Sequence, residues 1–600
     1  MSFFDDASLV FLPSGQAGKD GKAYSMKPTN GDGDFTFSRG SNLTATRVDS
    51  NGLIEKGREN LLLQSNQFDT TWANSGTNET SGQSGYDGSS DAWLLTKNVS
   101  DGYIYQNISQ SGVQCVSVYA KANAIGGIQI YVNAGTTREQ SFNLTNGTLI
   151  GSGNNIDAKI ESVGNGWYRC SMALSDAITR VRFYPMTSAG DKSGTSGSIY
   201  IQDAQLEQGL VATEYIESGA TTGLAGILED SPRFDYSGGA SCPSLLLEGS
   251  RTQLIPYTEY LSGLSLSGNP PTITQNYAVS PEGVQNAVRI QDTDATNYKI
   301  MQTQFSVTAG STYTISVYVK KASSPISTYG GFYFDFDGGT RKTSNLIFDE
   351  YNGTLVNASG NAITSVIHPV IDEGDYWRFS ATATDTGSNT LLRPTLRAGA
   401  SANGTTLNLV TKDYTAYGFQ CEQGSYPTSY IPNHSGGSVT RDADVCEGAG
   451  DSSTFNADEG VFYAEISTNT DDTDKAISLN NAVSGSLNNR LWMGYSTSNK
   501  RIYALGYVNN SLQFALSKLM TDESFFVKIA CRYKRNDIAF FVNGEKVGTD
   551  TSAINFTELT RLDFNIGTGV SGASALYGNV KQVLVFNSYL SDSEIITLTS

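Results

Sequence analysis

The sequence has little charge, little histidine and little proline, and each shortage narrows what the protein can be. Charged residues make up 16% of the 600 residues, against about 25% in an average soluble domain. Tyr and Phe are plentiful, at 32 and 26 residues, and Gly contributes 62. Many aromatics together with many turn-forming residues are typical of an all-β protein, and the aromatics argue against a disordered chain.

Long basic and long apolar runs are also missing. The formal net charge is −19 and the isoelectric point about 4.6, so nucleic acid and acidic membrane surfaces should be repelled. No stretch approaches the ~18 apolar residues that a membrane-spanning helix needs. The first residues lack a basic start followed by an apolar run, so no signal peptide is predicted. The six cysteines show no paired spacing and are expected to be reduced core residues of a protein made in a cytosol.

The residues that carry most enzymatic chemistry are scarce. The only histidines, His368 and His434, stand in unrelated contexts, which disfavours a catalytic triad or a zinc site. Glu465 stands alone in its strand-like segment, whereas glycoside hydrolysis uses paired carboxylates. We therefore predict no enzyme and no catalytic residues.

One phrase occurs twice. "QLEQGLVATEYI" (205–216) returns as "QCEQGSYPTSYI" (420–431), and three earlier pairs of matching segments occur in the same order. The pairs are "EKGRENL" (55–61) with "EGSRTQL" (248–254), "SVYAK" (117–121) with "SVYVK" (316–320), and "GWYRCS" (166–171) with "DYWRFS" (375–380). Collinear matches at slowly growing separation predict a duplicated unit whose second copy carries loop insertions.

The repeated unit has the alternation of β-strands. In "YTISVYVKK", Ile315, Val317 and Val319 alternate with polar or larger residues, and helical periodicity is nearly absent. We predict two jelly-roll β-sandwiches, at 59–218 and 251–433, joined by a linker at 219–250. Glu207 and Glu422, in the closing phrase, are interpreted as carboxylates bonded to backbone or to a nearby arginine rather than as catalytic groups.

The C-terminal region has a different pattern. "FVNGEKVG" (541–548) predicts a hairpin turning at Asn543-Gly544, and "SDSE" (591–594) predicts a capping box that opens a short helix. Together with "LDFNIG" and "GNVKQVLVFNSYLSDSEI", these segments resemble the concanavalin A-like (laminin G-like) lectin and glucanase superfold. The resemblance implies a further β-sandwich over 434–600, but the superfold alone does not decide activity.

A second resemblance concerns the linker phrases. "GDFTFSRGSNLTATRVDSNGLIEKGRENLL" (33–62) and "PRFDYSGGASCPSLLLEGSRTQLI" (232–255) resemble segments of tailed-bacteriophage virion proteins that precede carbohydrate-binding-module-like jelly rolls. This resemblance implies a virion surface protein, made in the host cytoplasm. Host surface polysaccharide and other virion proteins would be its partners, and a homotrimer would be its assembly.

Residues 1–58 are predicted to attach the protein to the virion or to sister subunits. They are too few to form a large core. They nevertheless begin with an apolar patch, formed by Phe3, Phe4, Leu9, Val10, Phe11 and Leu12, and an exposed patch of that kind usually finds a partner surface.

Sugar binding requires exposed aromatic rings beside polar side chains. The candidates are Trp72, Trp93, Tyr103, Tyr105, Trp492, Tyr495 and Tyr503, with Tyr298 as a further one; for each, a core or inter-module contact is the alternative. Trp167 and Trp377 are assigned to the core. Acidic clusters at 30–34, 291–297 and 469–474 are either structural calcium loops or solvated turns, and no other cofactor is expected.

Three functions stay open from the sequence. The first is a non-catalytic virion adhesin that attaches to host glycans. The second is a purely structural head fibre, decoration or tail collar protein. The third is a polysaccharide depolymerase.

Overall fold

In the computed structural model, antiparallel strands make up nearly all of the regular secondary structure, which confirms the all-β class. It describes residues 3–14, 18–19, 21–40, 43–264, 270–401, 409–468, 474–483, 488–520, 525–552, 554–565 and 575–600. In that part of the chain there are two α-helices, α1 (Phe3–Asp6) and α2 (Asp592–Thr599). Neither has the length or the apolar character to cross a bilayer.

The N-terminal segment forms seven short strands. They are β1 (Leu9–Phe11), β2 (Gly18–Lys19), β3 (Lys22–Ala23), β4 (Phe35–Ser38), β5 (Thr46–Val48), β6 (Ile54–Lys56) and β7 (Arg58–Asn60). β5 and β6 pair with each other, whereas β1 and β4 join the C-terminal sandwich.

The first sandwich packs two six-stranded sheets face to face. Its strands are β8 (Ala73–Ser75), β9 (Thr77–Gln83), β10 (Ala92–Lys97), β11 (Tyr103–Gln110), β12 (Val113–Ala122), β13 (Gly127–Ala134), β14 (Arg138–Asn143), β15 (Thr148–Ile150), β16 (Asp157–Gly164), β17 (Trp167–Ser175), β18 (Ile178–Met186) and β19 (Ser198–Gln208). One sheet has the order β16-β17-β12-β19-β10-β9 and the other β15-β14-β13-β18-β11-β8. Inward-facing aliphatic and aromatic side chains fill the space between the sheets.

Three strands follow in the connecting segment, and fourteen more form the second sandwich. The connecting strands are β20 (Gly223–Ala225), β21 (Arg233–Asp235) and β22 (Ser244–Leu247). The second sandwich contains β23 (Arg251–Gln253), β24 (Thr272–Ala278), β25 (Ala287–Asp292), β26 (Ile300–Gln302), β27 (Phe305–Ser306), β28 (Thr312–Lys320), β29 (Tyr329–Asp337), β30 (Lys342–Asp349), β31 (Thr354–Asn357), β32 (Val366–Ile367), β33 (Ile371–Glu373), β34 (Tyr376–Thr384), β35 (Leu391–Ala400) and β36 (Lys412–Gln423).

The two sandwiches share one strand order, as expected of a duplicated unit. The order β9-β10-β19-β12-β17 in the first corresponds to β24-β25-β36-β28-β34 in the second, and β11-β18-β13-β14-β15 corresponds to β26-β35-β29-β30-β31. The matched sequence segments occupy equivalent places. Arg169 donates from Nη2 to Ser117 Oγ at 3.1 Å, and Arg378 donates from Nη2 to Ser316 Oγ at 3.2 Å.

The duplicated closing phrase folds back on its own strand. Glu207 accepts hydrogen bonds from the backbone N–H and the hydroxyl of Thr213 at 2.8 and 2.5 Å. Glu422 accepts the same pair from Thr428 at 2.8 and 2.7 Å. Both carboxylates therefore hold the tail that leaves the sandwich, as the sequence interpretation of backbone-bonded carboxylates predicted.

The C-terminal sandwich has two large sheets. β37 (Val439–Arg441) pairs with β23 of the second sandwich. The strands of the C-terminal sandwich itself are β38 (Val445–Ala449), β39 (Glu459–Thr468), β40 (Lys475–Asn480), β41 (Arg490–Ser496), β42 (Arg501–Val508), β43 (Ser511–Leu519), β44 (Val527–Lys534), β45 (Ile538–Val542), β46 (Glu545–Asp550), β47 (Arg561–Asp563) and β48 (Gly578–Phe586). One sheet has the order β21-β22-β48-β39-β44-β45-β46 with β1 beside β48, and the other β2-β3-β4-β38-β47-β40-β41-β42-β43. Strands from the N-terminal and connecting segments thus complete this sandwich. Ser591 caps α2 in the predicted capping box with Glu594.

The prediction that the N-terminal apolar patch is exposed is wrong for its central residues. β1 pairs with β48, and Leu9, Val10 and Phe11 are at most 1% exposed. Phe11 packs against Phe35 with ring centroids 5.1 Å apart. The patch finds its partner surface within the same chain, because an apolar strand is stabilised by adding to a sheet that lies over a core.

A buried ion-pair network ties these distant segments together. Arg39 Nη1 lies 3.0 Å from Asp444 Oδ1, and Arg233 contacts both Asp444 and Glu248. Arg441 Nη1 lies 2.8 Å from Glu248 Oε2. Breaking such a network is costly because the remaining charges stay buried without a partner, so the network fixes the N-terminal and connecting segments in place.

Candidate functional site

Two predicted glycan contacts in the first sandwich belong to its core. Trp72 is 7% exposed and Trp93 6%. Each indole Nε1 donates to a backbone carbonyl, that of Gln64 at 3.0 Å and that of Asn66 at 2.9 Å. Both rings pack against Phe68. They cannot stack on a ligand at the surface, because the sandwich already covers them.

The candidates in the C-terminal sandwich are also largely covered. Tyr495 is 2% and Trp492 9% exposed. Trp492 packs on Tyr507 with ring centroids 4.9 Å apart. Tyr503 is partly buried beside them, and burial raises the pKa of its phenol. Trp492, Tyr503 and Tyr507 pack against each other on one side of the sheet. Tyr495 projects from the other side of β41, together with the core residues Leu491 and Met493. Trp492 and Tyr495 therefore expose little ring surface to a glycan.

Tyr103 and Tyr105 lie on a solvent-facing sheet surface. Alternation along β11 directs Ile104 into the core and the two tyrosines outward, where they are half-buried. In the strand register, Tyr105 is opposite Arg182 of β18, and Arg182 is opposite Tyr131 of β13. Tyr105, Arg182 and Tyr131 therefore form one row across three adjacent strands.

The adjacent positions extend this surface. Tyr184 lies two residues beyond Arg182 on β18, and its ring centroid is 4.7 Å from that of Tyr103. Arg180 lies two residues before Arg182 and is opposite Asn133. We name the surface the tyrosine–arginine face; it consists of Tyr103, Tyr105, Tyr131, Arg180, Arg182 and Tyr184.

Cation–π contacts order the long side chains of the tyrosine–arginine face. The guanidinium carbon of Arg180 lies 4.3 Å from the ring centroid of Tyr105. That of Arg182 lies 4.7 Å from the centroid of Tyr103 and 5.2 Å from that of Tyr131. Such contacts contribute about 0.5–1 kcal/mol each at exposed sites. The arginines are thereby held beside the rings rather than left to sample many rotamers.

Hydrogen bonds complete the arrangement. Arg182 Nη1 donates to the hydroxyl of Tyr184 at 3.0 Å, and Arg180 Nε donates to Asn107 Oδ1 at 2.8 Å. Lys192, at the end of the face, donates from Nζ to Gln129 Oε1 at 2.8 Å. Burial raises the pKa of Tyr184 although the nearby Arg182 opposes this shift. The phenol therefore stays protonated at neutral pH.

The second sandwich keeps only part of this face at the equivalent positions; Tyr333 stands where Tyr131 stands. The register places Gln302 where Tyr105 stands, Thr395 where Arg182 stands and Arg393 where Arg180 stands. Arg393 Nη1 pairs with Asp337 at 2.7 Å and Asp335 at 3.3 Å. The predicted candidate Tyr298 is 53% exposed beside Arg397. The two copies have therefore diverged on this surface while keeping one fold.

A small cavity of about 70 Å³ lies where the two sandwiches meet. Lys56 Nζ lies 2.6 Å from Glu282 Oε1 and 3.3 Å from Glu259 Oε1. Tyr430 donates to Glu259 Oε1 at 2.9 Å. Burial is the main cause that lowers the pKa of His434 to about 3, so this imidazole is neutral. The cluster joins the modules, and its carboxylates are already engaged.

The described residues do not form the metal site that the acidic clusters suggested. There, no three His, Cys, Asp or Glu side chains come together as a site for a metal ion. In the 291–297 cluster, Asp294 instead caps its own turn by accepting from the N–H of Thr296 at 2.8 Å. Residues 469–473 of the third cluster lie outside the described residues.

Four residues of the tyrosine–arginine face were missed in the sequence: Tyr131, Arg180, Arg182 and Tyr184. The segment "RVRFY" places Arg180, Arg182 and Tyr184 at alternate positions. That spacing puts all three on one side of a strand. It is a usable signal, but only the pairing of β18 between β11 and β13 shows that the tyrosines of those strands lie beside them.

Comparison with known families gives one match. Residues 461–596 match the model of the concanavalin A-like lectin/glucanases superfamily. The C-terminal sandwich is a concanavalin A-like domain. No curated protein matches the chain.

Several solved structures share parts of the fold. The CBM40 domain of Ruminococcus gnavus IT-sialidase, bound to α2,3-sialyllactose, is 16% identical, covers 24% of this chain and 84% of its own, and has a TM-score of 0.22. Domains LG4–5 of the mouse laminin α1 chain are 10% identical and cover 55% of this chain and 94% of their own, with a TM-score of 0.18. The leech intramolecular trans-sialidase is 18% identical and covers 24% of this chain and 23% of its own, with a TM-score of 0.21. At these identities and TM-scores, the ligands of these proteins say nothing about what this chain binds.

Proposed function

We propose that this protein binds glycans, without catalysis, through the tyrosine–arginine face of the first sandwich. The observation that carries the proposal is the pair of cross-strand contacts that hold Tyr105 and Tyr131 beside Arg182 on an open sheet surface. Apolar sugar faces stack on aromatic rings, while polar side chains fix the hydroxyl groups. Both components are present on this face, and both are held in place before a ligand arrives.

The dimensions suit an oligosaccharide. Neighbouring strands lie ~4.8 Å apart, and alternate residues of one strand ~7 Å apart. A surface of three strands and two or three rows is therefore wider than a single sugar ring. The rigid sheet beneath it keeps the ordering cost of binding low.

We propose a virion surface as the setting, with host surface polysaccharide as the target. Support comes from the linker phrases that resemble bacteriophage virion proteins and from the tandem sandwiches. Attachment to other virion proteins and a homotrimeric assembly belong to the same proposal. Because Leu9, Val10 and Phe11 are buried within the chain, any docking surface has to use other residues, such as the 43%-exposed Phe4.

The test is binding of the full chain to an array of bacterial surface glycans and to host cells. Tyr105→Ala should weaken binding by about tenfold or more, or ~1.4 kcal/mol, because it removes one stacking ring. Gln302→Ala, at the equivalent position of the second sandwich, is the matched control and should bind like the parent. A chain that binds no glycan would favour a purely structural role, and sustained release of reducing sugar would favour a depolymerase.

A further inference from the structure

Three cations on one surface of this acidic protein have no acidic partner among the residues that the structure describes. The chain carries 59 acidic and 40 basic residues, and many of its arginines and lysines lie within 4.0 Å of a carboxylate. Among the described residues, no carboxylate oxygen lies that close to Arg180, Arg182 or Lys192; their recorded partners are neutral side chains or tyrosine rings. A local excess of positive charge therefore remains on the tyrosine–arginine face.

We propose that the glycan bound there is acidic, with a sugar carboxylate received by Arg180 and Arg182. This inference rests on the proposed glycan-binding function and adds the chemical class of the ligand. A guanidinium presents its N–H groups as a planar fork that matches a carboxylate. Each of the two arginines uses one nitrogen in the hydrogen bonds described above, and the Nε of Arg182 is buried. The other guanidinium nitrogens are the donors for a ligand.

The position of the two arginines favours an acidic sugar over a neutral one. Arg180 and Arg182 are alternate residues of β18, so their side chains project from the same surface ~7 Å apart. The neighbouring tyrosine rings hold the guanidinium groups in place. A sugar ring that contacts Tyr105 therefore lies next to both cations, which places its carboxylate near their guanidinium groups.

The carboxylates near the tyrosine–arginine face do not neutralise its positive charge. Glu139 stands opposite Tyr131 and accepts from Gln129 Nε2 at 3.3 Å. Asp191 caps its own loop by accepting from the N–H of Ser193 at 2.8 Å. Asp176 is paired with Arg138 at 3.3 Å. These carboxylates border the surface, while its centre is cationic.

The duplicated sandwich provides the contrast. Arg393 occupies the position equivalent to Arg180 but is neutralised by Asp335 and Asp337. An acidic sugar would meet two carboxylates there. The arginine at the position of Arg180 is therefore already neutralised in the second copy.

The experiment measures affinities of the full chain for uronate- and sialate-containing oligosaccharides, each beside its carboxyl-reduced partner. The parent should bind the acidic form about tenfold or more tightly than the reduced form, and the difference should shrink as salt is raised. The double variant Arg180→Gln/Arg182→Gln should lose that difference. Arg182→Lys should lose part of it, because it keeps the charge but not the fork. Arg393→Gln is the matched control and should behave like the parent.

The outcomes separate this inference from the function on which it rests. Equal binding of acidic and reduced forms, still weakened by Tyr105→Ala, would overturn the acidic preference and leave glycan binding in place. No binding of any oligosaccharide by a folded parent would overturn both. Retained selectivity in the folded double variant would place the carboxylate elsewhere and overturn the assignment to Arg180 and Arg182.

Discussion

At the scale of single residues, Asp203 is the clearest case of a side chain whose charge the fold opposes. It lies at 6% exposure in the first sandwich. Burial raises the pKa of its carboxyl to about 7, although a hydrogen bond from the hydroxyl of Tyr86 at 3.0 Å partly offsets this effect. The unfolded chain should titrate this group near its ordinary value of 3.8.

This shift predicts a pH-dependent stability. Between about pH 4 and 7 the folded protein keeps a proton that the unfolded chain has released, so Asp203 lowers stability by up to ~1.4 kcal/mol per pH unit as pH rises through that window. Asp203→Asn should therefore gain stability relative to the parent as pH rises from 4.5 to 7.5. Urea unfolding followed by tryptophan fluorescence measures this, since Trp72, Trp93 and Trp167 all lie in this sandwich. A stability difference that is the same at both pH values would contradict the shift.

At the scale of elements, the closing phrase of each sandwich fixes how the chain leaves it. Glu422 is fully buried and accepts three hydrogen bonds, two from Thr428 and one from Gln420 Nε2 at 3.0 Å. Gln420 Oε1 in turn accepts from the N–H of Ile431 at 2.8 Å. The closing phrase occurs in both copies because the same buried hydrogen bonds hold the exit tail of each sandwich.

Replacing Glu422 by Gln should destabilise the second sandwich by about 1–3 kcal/mol, because the new amide places a donor against the donors of Thr428. The control is Glu214→Gln, an exposed position in the first tail, which should change stability by less than about 0.5 kcal/mol. Calorimetry of the separate unfolding transitions distinguishes them. Equal effects of the two changes would show that the lock contributes little.

The elements also show how far the sequence could be used for prediction. Strand alternation and the collinear repeats predict the two sandwiches, because both signals are local or compare the chain with itself. The pairing of β1 with β48 joins opposite ends of the chain, and no local pattern specifies such a partner. For the same reason Tyr103 and Tyr105 were found but Arg180 and Arg182 were not, and Trp72 could not be told from a surface ring.

At the scale of the whole molecule, the C-terminal sandwich is built from three separate parts of the chain. Its core contains Leu9, Phe11, Phe35 and Phe37 from the N-terminal segment, together with Leu245 from the connecting segment. The matched family segment, 461–596, lacks all of them. The C-terminal sandwich therefore depends on the N-terminus that precedes the other two sandwiches.

A chain that begins at Glu59 should consequently lose stability in its C-terminal sandwich. Removing four large buried apolar side chains is expected to cost on the order of 5 kcal/mol or more, and the new sheet edges would be exposed to aggregation. The first sandwich should keep its tryptophan-monitored transition, which serves as the internal control. An unchanged calorimetric transition for the C-terminal sandwich would contradict the view that the N-terminal strands are part of its core.

The most direct measurement of the central claim is a structure of the full chain bound to the tightest-binding acidic oligosaccharide. The account predicts a sugar ring over Tyr105 or Tyr103 and a sugar carboxylate within hydrogen-bonding distance of Arg180 or Arg182. A ligand bound instead on the C-terminal sheet beside Tyr503, or on the second sandwich beside Tyr298, with the tyrosine–arginine face empty, would contradict it.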